Sequence, residues 1–156
     1  MLMKDVVMSE VIFREADRME ILPLRYAVLC TGRPWAEAMF VGDEDENTHH
    51  FGAFSQTSRG VANLGCVSYM LTTHENESAW QLRGMATRPD LFRTGVGKQL
   101  VLAAQAQLLA MHDYRLFWCR AREHAIAFYE KLGWRIVSDL YTVENYGPHR
   151  NMMIRV

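Results

Sequence analysis

Lysine is scarce in this chain. Three lysines accompany fourteen arginines, and the seventeen basic residues face eighteen acidic ones, for a formal net charge of -1 over 156 residues. That balance removes any general electrostatic pull toward nucleic acid or an anionic membrane surface. Arginine makes forked, bidentate contacts with phosphates, but genome composition produces the same excess, and that reading covers most of these residues. Cysteine is equally sparse. Cys30, Cys66 and Cys119 are odd in number, widely spaced and form no CxxC pair, which excludes a disulfide framework. Cys66 and Cys119 sit in apolar runs and read as buried thiols. No apolar run reaches the roughly 18 residues of a membrane span. Met1–Arg14 carries acids and lacks the basic-then-apolar order of a signal peptide. The glycosylation sequon Asn76-Glu77-Ser78 therefore carries no weight, and a reducing cytoplasm is the expected setting. Repeats, low-complexity tracts and linkers are also missing, so residues 1–156 read as one domain. A chain of this length buries roughly two-thirds of its unfolded surface without staples.

The segment Phe13–Cys30 spaces Ile21, Leu24, Ala27 and Val28 as a helix does, with Pro23 either kinking it or starting a second one. Thr31-Gly32-Arg33-Pro34 breaks the pattern, and Trp35–Phe40 reads as one further helical turn. Asp43-Glu44-Asp45-Glu46-Asn47 reads as a solvated acidic loop, since consecutive acids do not converge on one ion. Three strand-like runs follow, His50–Ser55, Val61–Thr72 and Ala79–Thr87, separated by hairpin-type turns. Val96–Ala110 is an amphipathic helix with Leu100, Val101, Ala104 and Leu108 on one stripe. Tyr114–Cys119 reads as a short strand and Glu123–Leu132 as a helix closed by Gly133. Arg135–Val143 and Asn151–Val156 are the final strands. The adjacent His49-His50 has no metal-binding partner spacing, and in a strand its rings point to opposite faces; it reads as the start of a strand, with no metal expected. The order is that of a mixed α/β sheet with helices on its faces.

The most informative segment is Arg93-Thr94-Gly95-Val96-Gly97-Lys98, which follows a strand and opens a helix. Unpaired N–H groups and the positive end of the helix dipole suit an anion there. Glycine lets the backbone approach a phosphate where a Cβ would collide. A Walker A loop needs glycine five residues before Gly97 and Ser or Thr after Lys98, but Phe92 and Gln99 occupy those positions. A Rossmann fingerprint needs a small residue at 100, where Leu100 stands.

The turn resembles the Gln/Arg-x-x-Gly-x-Gly/Ala turn of the GCN5-related N-acetyltransferases, the GNAT superfamily. Gly95 and Gly97 fit, while Phe92 departs from the usual Gln or Arg. Arg122-Glu123-His124-Ala125-Ile126-Ala127-Phe128-Tyr129-Glu130-Lys131-Leu132-Gly133-Trp134 resembles the family's Asn-x-x-Ala-x-x-hydrophobic-Tyr-Glu-Lys-Leu-Gly-Phe helix. Arg122 replaces the usual Asn, as it does in one bacterial branch. Trp118–Arg122, Leu22–Leu29 and Gly147-Pro148-His149 resemble that branch too, so the likeness spans nearly the whole chain.

The resemblance implies a mixed, mostly antiparallel sheet of six or seven strands, flanked by helices and splayed at an acyl-CoA site. It implies acetyl-CoA as co-substrate and direct acetyl transfer to a primary amine of a small-molecule or peptide acceptor. The backbone at Met85, Ala86 and Thr87 would hold the pantetheine arm as an added strand does. Phe92, Arg93, Thr94, Gly95, Val96, Gly97 and Lys98 would form the pyrophosphate cradle, with Arg122, Ala125 and Phe128 completing the cofactor site. Tyr129 takes the family's general-acid position. The strand before the glycine turn carries no glutamate, leaving His149, directly or through a water, as candidate base. Arg33, Trp35 and Tyr146 lie in loops that face the acceptor in this fold. A homodimer is plausible through the last strands. The alternative is a GNAT-fold module that binds or senses CoA without catalysis, consistent with the departures at Phe92 and Arg122.

Overall fold

The computed structural model describes residue 7 and residues 10–156. The first part of Met1–Arg14, read above for leader character, lies outside the described residues. One eight-stranded sheet organises the rest, in the order β1-β2-β3-β4-β5-β8-β6, with β7 also pairing β8. The strands are β1 (Ile12–Ala16), β2 (Thr48–Thr57), β3 (Gly60–His74), β4 (Glu77–Thr87), β5 (Leu116–Arg122), β6 (Arg135–Ile136), β7 (Tyr141–Val143) and β8 (Gly147–Arg155). All neighbours are antiparallel except β4 and β5. The mixed α/β sheet expected from the sequence is therefore present, with eight strands where six or seven were expected.

The additional strands have local causes. Phe13–Ala16, expected as the start of a helix, is instead strand β1, paired along β2 from Ile12↔Phe54 to Ala16↔His50. The helix α1 (Arg18–Leu29) begins only after Asp17, whose N–H donates to the Glu20 carboxylate at 3.2 Å. It runs unbroken through Pro23. The expected strand Arg135–Val143 divides into β6 and β7, which both lie on β8. Much of the outer edge of β8 is thus paired within the chain.

Two helices cover opposite faces of the sheet. On one, α2 (Val96–Met111) packs Leu100, Val101, Ala104 and Leu108 against Val67, Tyr69, Trp80, Leu82 and Phe117. On the other, Ile21 and Leu24 of α1 pack against Cys66 and Ala86. Strand β3 is buried on both faces, which explains its near-continuous run Leu64–Tyr69. Burying side chains of this size contributes about 1.5–3 kcal/mol each. The third helix, α3 (Ile126–Lys131), follows a 3-10 turn at Glu123–Ala125. All three cysteines are free and buried, and burial pushes the Cys66 thiol up to about 12. Among the described residues, no helix is long and apolar enough to cross a membrane.

The acidic loop departs from expectation at its first residue. Asp43 is buried, and its carboxylate meets the fully buried Arg25 guanidinium at 2.6 Å. Arg25 also donates to the Ala38 carbonyl at 2.8 Å and to the Ser68 hydroxyl at 2.7 Å. Ser68 in turn contacts His50 Nδ1 at 2.6 Å, and His50 Nε2 contacts the Asp43 carbonyl at 2.9 Å. A carbonyl only accepts, so His50 carries its proton on Nε2 and Ser68 donates to Nδ1. Burial lowers the His50 pKa, which favours this neutral form.

Candidate active site

Gly84 begins the site. Cys66 faces Ala86 and Ser68 faces Arg83, so Gly84 and Met85 together oppose Val67 as a bulge. Gly84 has φ 61°, and a Cβ there would lie 2.8 Å from Arg25 Nε and 3.0 Å from the Phe40 ring. Only glycine fits both constraints. Beside this bulge the parallel pairing of β4 with β5 stops, its last partners being Leu82 and Cys119. From Arg83 to Thr87, β4 has no partner on its β5 side, and from Arg120 to Arg122, β5 pairs only with β8. The sheet opens into a wedge.

A cavity of about 700 Å³ fills the wedge. Met85, Arg122, Ala125, Tyr129, Tyr146 and His149 all line it, so the structure brings together six of the residues singled out from the sequence. Tyr129 is buried, its ring centroid 5.1 Å from Phe128 and 5.3 Å from Trp134. That burial raises its pKa well above the ordinary 10.0 and keeps it a phenol. His149 Nδ1 lies 2.8 Å from the Gly147 carbonyl. Because that carbonyl only accepts, the proton sits on Nδ1 and neutral His149 keeps a lone pair on Nε2.

The glycine turn stands at the start of α2. Gly95 has φ 92°, and open space surrounds the position a Cβ would take. Gln99 N–H to the Gly95 carbonyl, 3.0 Å, is the first bond of the helix. The N–H groups of Val96, Gly97 and Lys98 therefore belong to the turn that a helix leaves unpaired. No side chain caps them. Gly97 joins this turn to the wedge: a Cβ there would meet Thr87 Oγ1 at 3.0 Å, Met85 Cε at 3.1 Å and Phe128 Cε1 at 3.3 Å. Arg93, with φ 65°, and Lys98 are exposed beside it. The Val96 side chain packs with Leu64 and Leu91, leaving only its backbone to a ligand. Ala86 likewise turns its side chain to Ile21 and Cys66. Phe92 is 58% exposed and lies off the cavity wall.

Two of the expected acceptor residues do not line the cavity. Trp35 packs on Tyr26 with centroids 5.0 Å apart and the rings tilted by 49°, and it lies off the wall. Arg33 acts one step back, its guanidinium 2.8 Å from the Glu37 carboxylate. Glu37 does line the cavity and also accepts a hydrogen bond from Tyr146. Arg33 and Tyr146 hold the Glu37 carboxyl below its usual range, while that contact pushes Tyr146 up to about 12. From the sequence Glu37 is one of several loop acids, with Asp43 to Glu46 and Glu144, that could attract a cationic amine or equally keep the surface soluble. Its place on the wall depends on a partner 109 positions away. Gly84 was more legible: an isolated glycine in a strand signals a bulge. His49 bonds the Glu15 carboxylate at 2.6 Å and His50 is engaged as above.

Residues 38–136 match the family model described as Acetyltransferase (GNAT) domain. The chain belongs to the GNAT acetyltransferase family. The matched region of this GNAT domain runs from the loop before β2 to β6, and so includes the wedge, the glycine turn and Tyr129. A relative in Bacillus subtilis (strain 168), the uncharacterized N-acetyltransferase YitI, is 29% identical over 127 residues, covering 81% of this chain and 83% of YitI. Escherichia coli ElaA superposes with a TM-score of 0.74 at 16% identity, over 92% of this chain and 98% of ElaA. An aminoglycoside 6'-N-acetyltransferase complexed with coenzyme A superposes with a TM-score of 0.71, also at 16% identity, over 92% of this chain and 96% of that one. Family membership makes this GNAT domain an acyl-CoA-dependent N-acyltransferase.

Proposed function

We propose that this chain moves an acetyl group from acetyl-CoA to a primary amine by direct transfer, with Tyr129 as general acid. The observation that carries this reading is the wedge itself, with Tyr129 and His149 on its walls and Gly97 joining it to the unpaired end of α2. The free β4 backbone from Met85 to Thr87 suits a pantetheine arm laid down as an added strand. The turn from Phe92 to Lys98 suits a pyrophosphate, with Arg93 and Lys98 supplying positive charge. Arg122, Ala125 and Phe128 border the thioester end. A reducing setting such as the cytoplasm suits the three free thiols.

In the reaction the amine nitrogen bonds to the thioester carbonyl carbon as the carbon–sulfur bond breaks. His149 Nε2, directly or through a water, takes the amine's proton, and the Tyr129 phenol gives its proton to the departing sulfur. Burial opposes a tyrosinate at 129, and the proton that His149 takes from the amine restores the phenol as the products leave.

Saturating acetyl-CoA should raise the melting temperature, since a ligand at about 100 times its Kd adds roughly 2.7 kcal/mol. No shift at millimolar acetyl-CoA would sink the reading. Thiol release from acetyl-CoA with a panel of amines separates the transferase from a non-catalytic CoA-binding module, which would release none. A narrower check is Gly97→Ala. Its new methyl meets side-chain atoms and no backbone, Thr87 Oγ1 at 3.0 Å, Met85 Cε at 3.1 Å and Phe128 Cε1 at 3.3 Å, so folding should survive, but Met85 and Thr87 would be pushed into the arm's path. Calorimetric titration should show acetyl-CoA binding weakened about tenfold, equivalent to ~1.4 kcal/mol. An unchanged affinity would place the arm elsewhere.

A further inference from the structure

We propose that the acceptor amine carries a carboxylate or a phosphate, and that Arg83 and Arg120 hold it. This rests on the transferase reading and names its acceptor class. Because β4 and β5 separate just after Leu82 and Cys119, Arg83 and Arg120 are the first residues beyond the pairing, one on each side of the split. Both line the cavity. Among the described residues neither is in an ion pair. Arg83 Nη1 donates to the Val41 carbonyl at 2.5 Å and contacts Met70 Sδ at 3.2 Å. Arg120 Nε donates to the Tyr141 hydroxyl at 3.3 Å. Each guanidinium has five N–H donors, so most remain unspent.

Two of the nearby carboxylates are already matched, while Asp45, whose Oδ2 lies like Arg83 Nη1 3.5 Å from where a Gly42 Cβ would stand, is exposed to solvent. Glu37, on the cavity wall, is held by Arg33, and Asp43, behind Arg83, is held by Arg25. Burial lowers the Arg83 pKa most; Asp43 opposes it as the largest charge effect, and the positive charges of Arg25 and Arg120 lower it further. Arg83 is half-buried and Arg120 exposed, so an anion bridging them offsets the one charge that burial makes costly. The forked guanidinium fits a carboxylate or phosphate in two-point contact. A polycationic amine meets repulsion at the same place.

The test is thiol release from acetyl-CoA with amines paired by charge: methionine against methioninamide, phenylalanine against phenylalaninamide, phosphoethanolamine against ethanolamine, and spermidine as polycation. The anionic member of at least one pair should have the higher kcat/KM, and which pair responds distinguishes carboxylate from phosphate. Arg120→Gln and Arg83→Gln should each cut that preference about tenfold, mainly through KM, while retaining the acetyl-CoA melting shift that certifies folding. Equal rates within every pair, or spermidine as the best acceptor, would overturn the anion site and leave the transferase reading intact. Release from no amine would overturn the transferase reading. The anion site would then depend on N-acetylmethionine with coenzyme A. Stabilisation of the wild type but not of Arg120→Gln would uphold it, and absence of stabilisation would end it.

Discussion

Replacing Asp43 by alanine should destabilise the protein by about 3–5 kcal/mol, the usual cost of leaving one member of a buried ion pair alone. For a chain of this size that is a drop on the order of 10 °C in melting temperature, measurable by thermal unfolding. The reason is position. Arg25 has no exposed surface, its charge is met by Asp43 at 2.6 Å, and Asp43 also accepts the Phe40 N–H at 2.9 Å. Alanine removes both contacts at once. The substitution should also reach the active site, because Arg25 lies directly beneath the Gly84 bulge. Arg25→Met combined with Asp43→Leu should recover much of the stability, since no charge is then left uncompensated. If the single and double variants melt together with the wild type, the pair does not hold this region.

Tyr129→Phe should lower kcat by about 100-fold or more, within the 10²–10⁴ range of general acid–base catalysis, while acetyl-CoA still raises the melting temperature. The ring is packed against Phe128 and Trp134, and phenylalanine keeps those contacts. Only the proton donor is lost. The pH profile supplies an independent check. The active form is the phenol, and burial raises its pKa well above 10. Ionisation of Tyr129 should therefore cause no decline in kcat up to pH 10. Equal turnover by wild type and Tyr129→Phe would remove the residue from the chemistry.

Much of this was legible locally. The α2 stripe, the glycine turn and the hairpin spacing of β2, β3 and β4 are all short-range patterns, set by side-chain period and turn chemistry. Tyr129 and His149 were reached from motifs, and the fold places both on one cavity. The first strand was misread because Ile12–Ala16 is too short to show its period beside a longer helix, and its partner lies some 40 positions on in β2, in pairings such as Ile12↔Phe54. Asp43 read as solvated because its neighbours are acidic and exposed; nothing local announced Arg25. Trp35 reads as an acceptor contact from its loop position, but its tilted packing on Tyr26 keeps it off the cavity wall.

The sequence by itself determined a mixed α/β sheet, a helix start built for an anion and a tyrosine at a family position. These follow from periodicity, glycine conformation and unpaired helix N–H groups, which are properties of neighbouring residues. Tertiary structure alone decided that β4 leaves β5 after Leu82, that Glu37 is held between Arg33 and Tyr146, and that Arg83 and Arg120 both reach the cavity wall outside any ion pair among the described residues. Those are facts of register and charge pairing between distant segments, and no local pattern encodes which distant side chain will arrive.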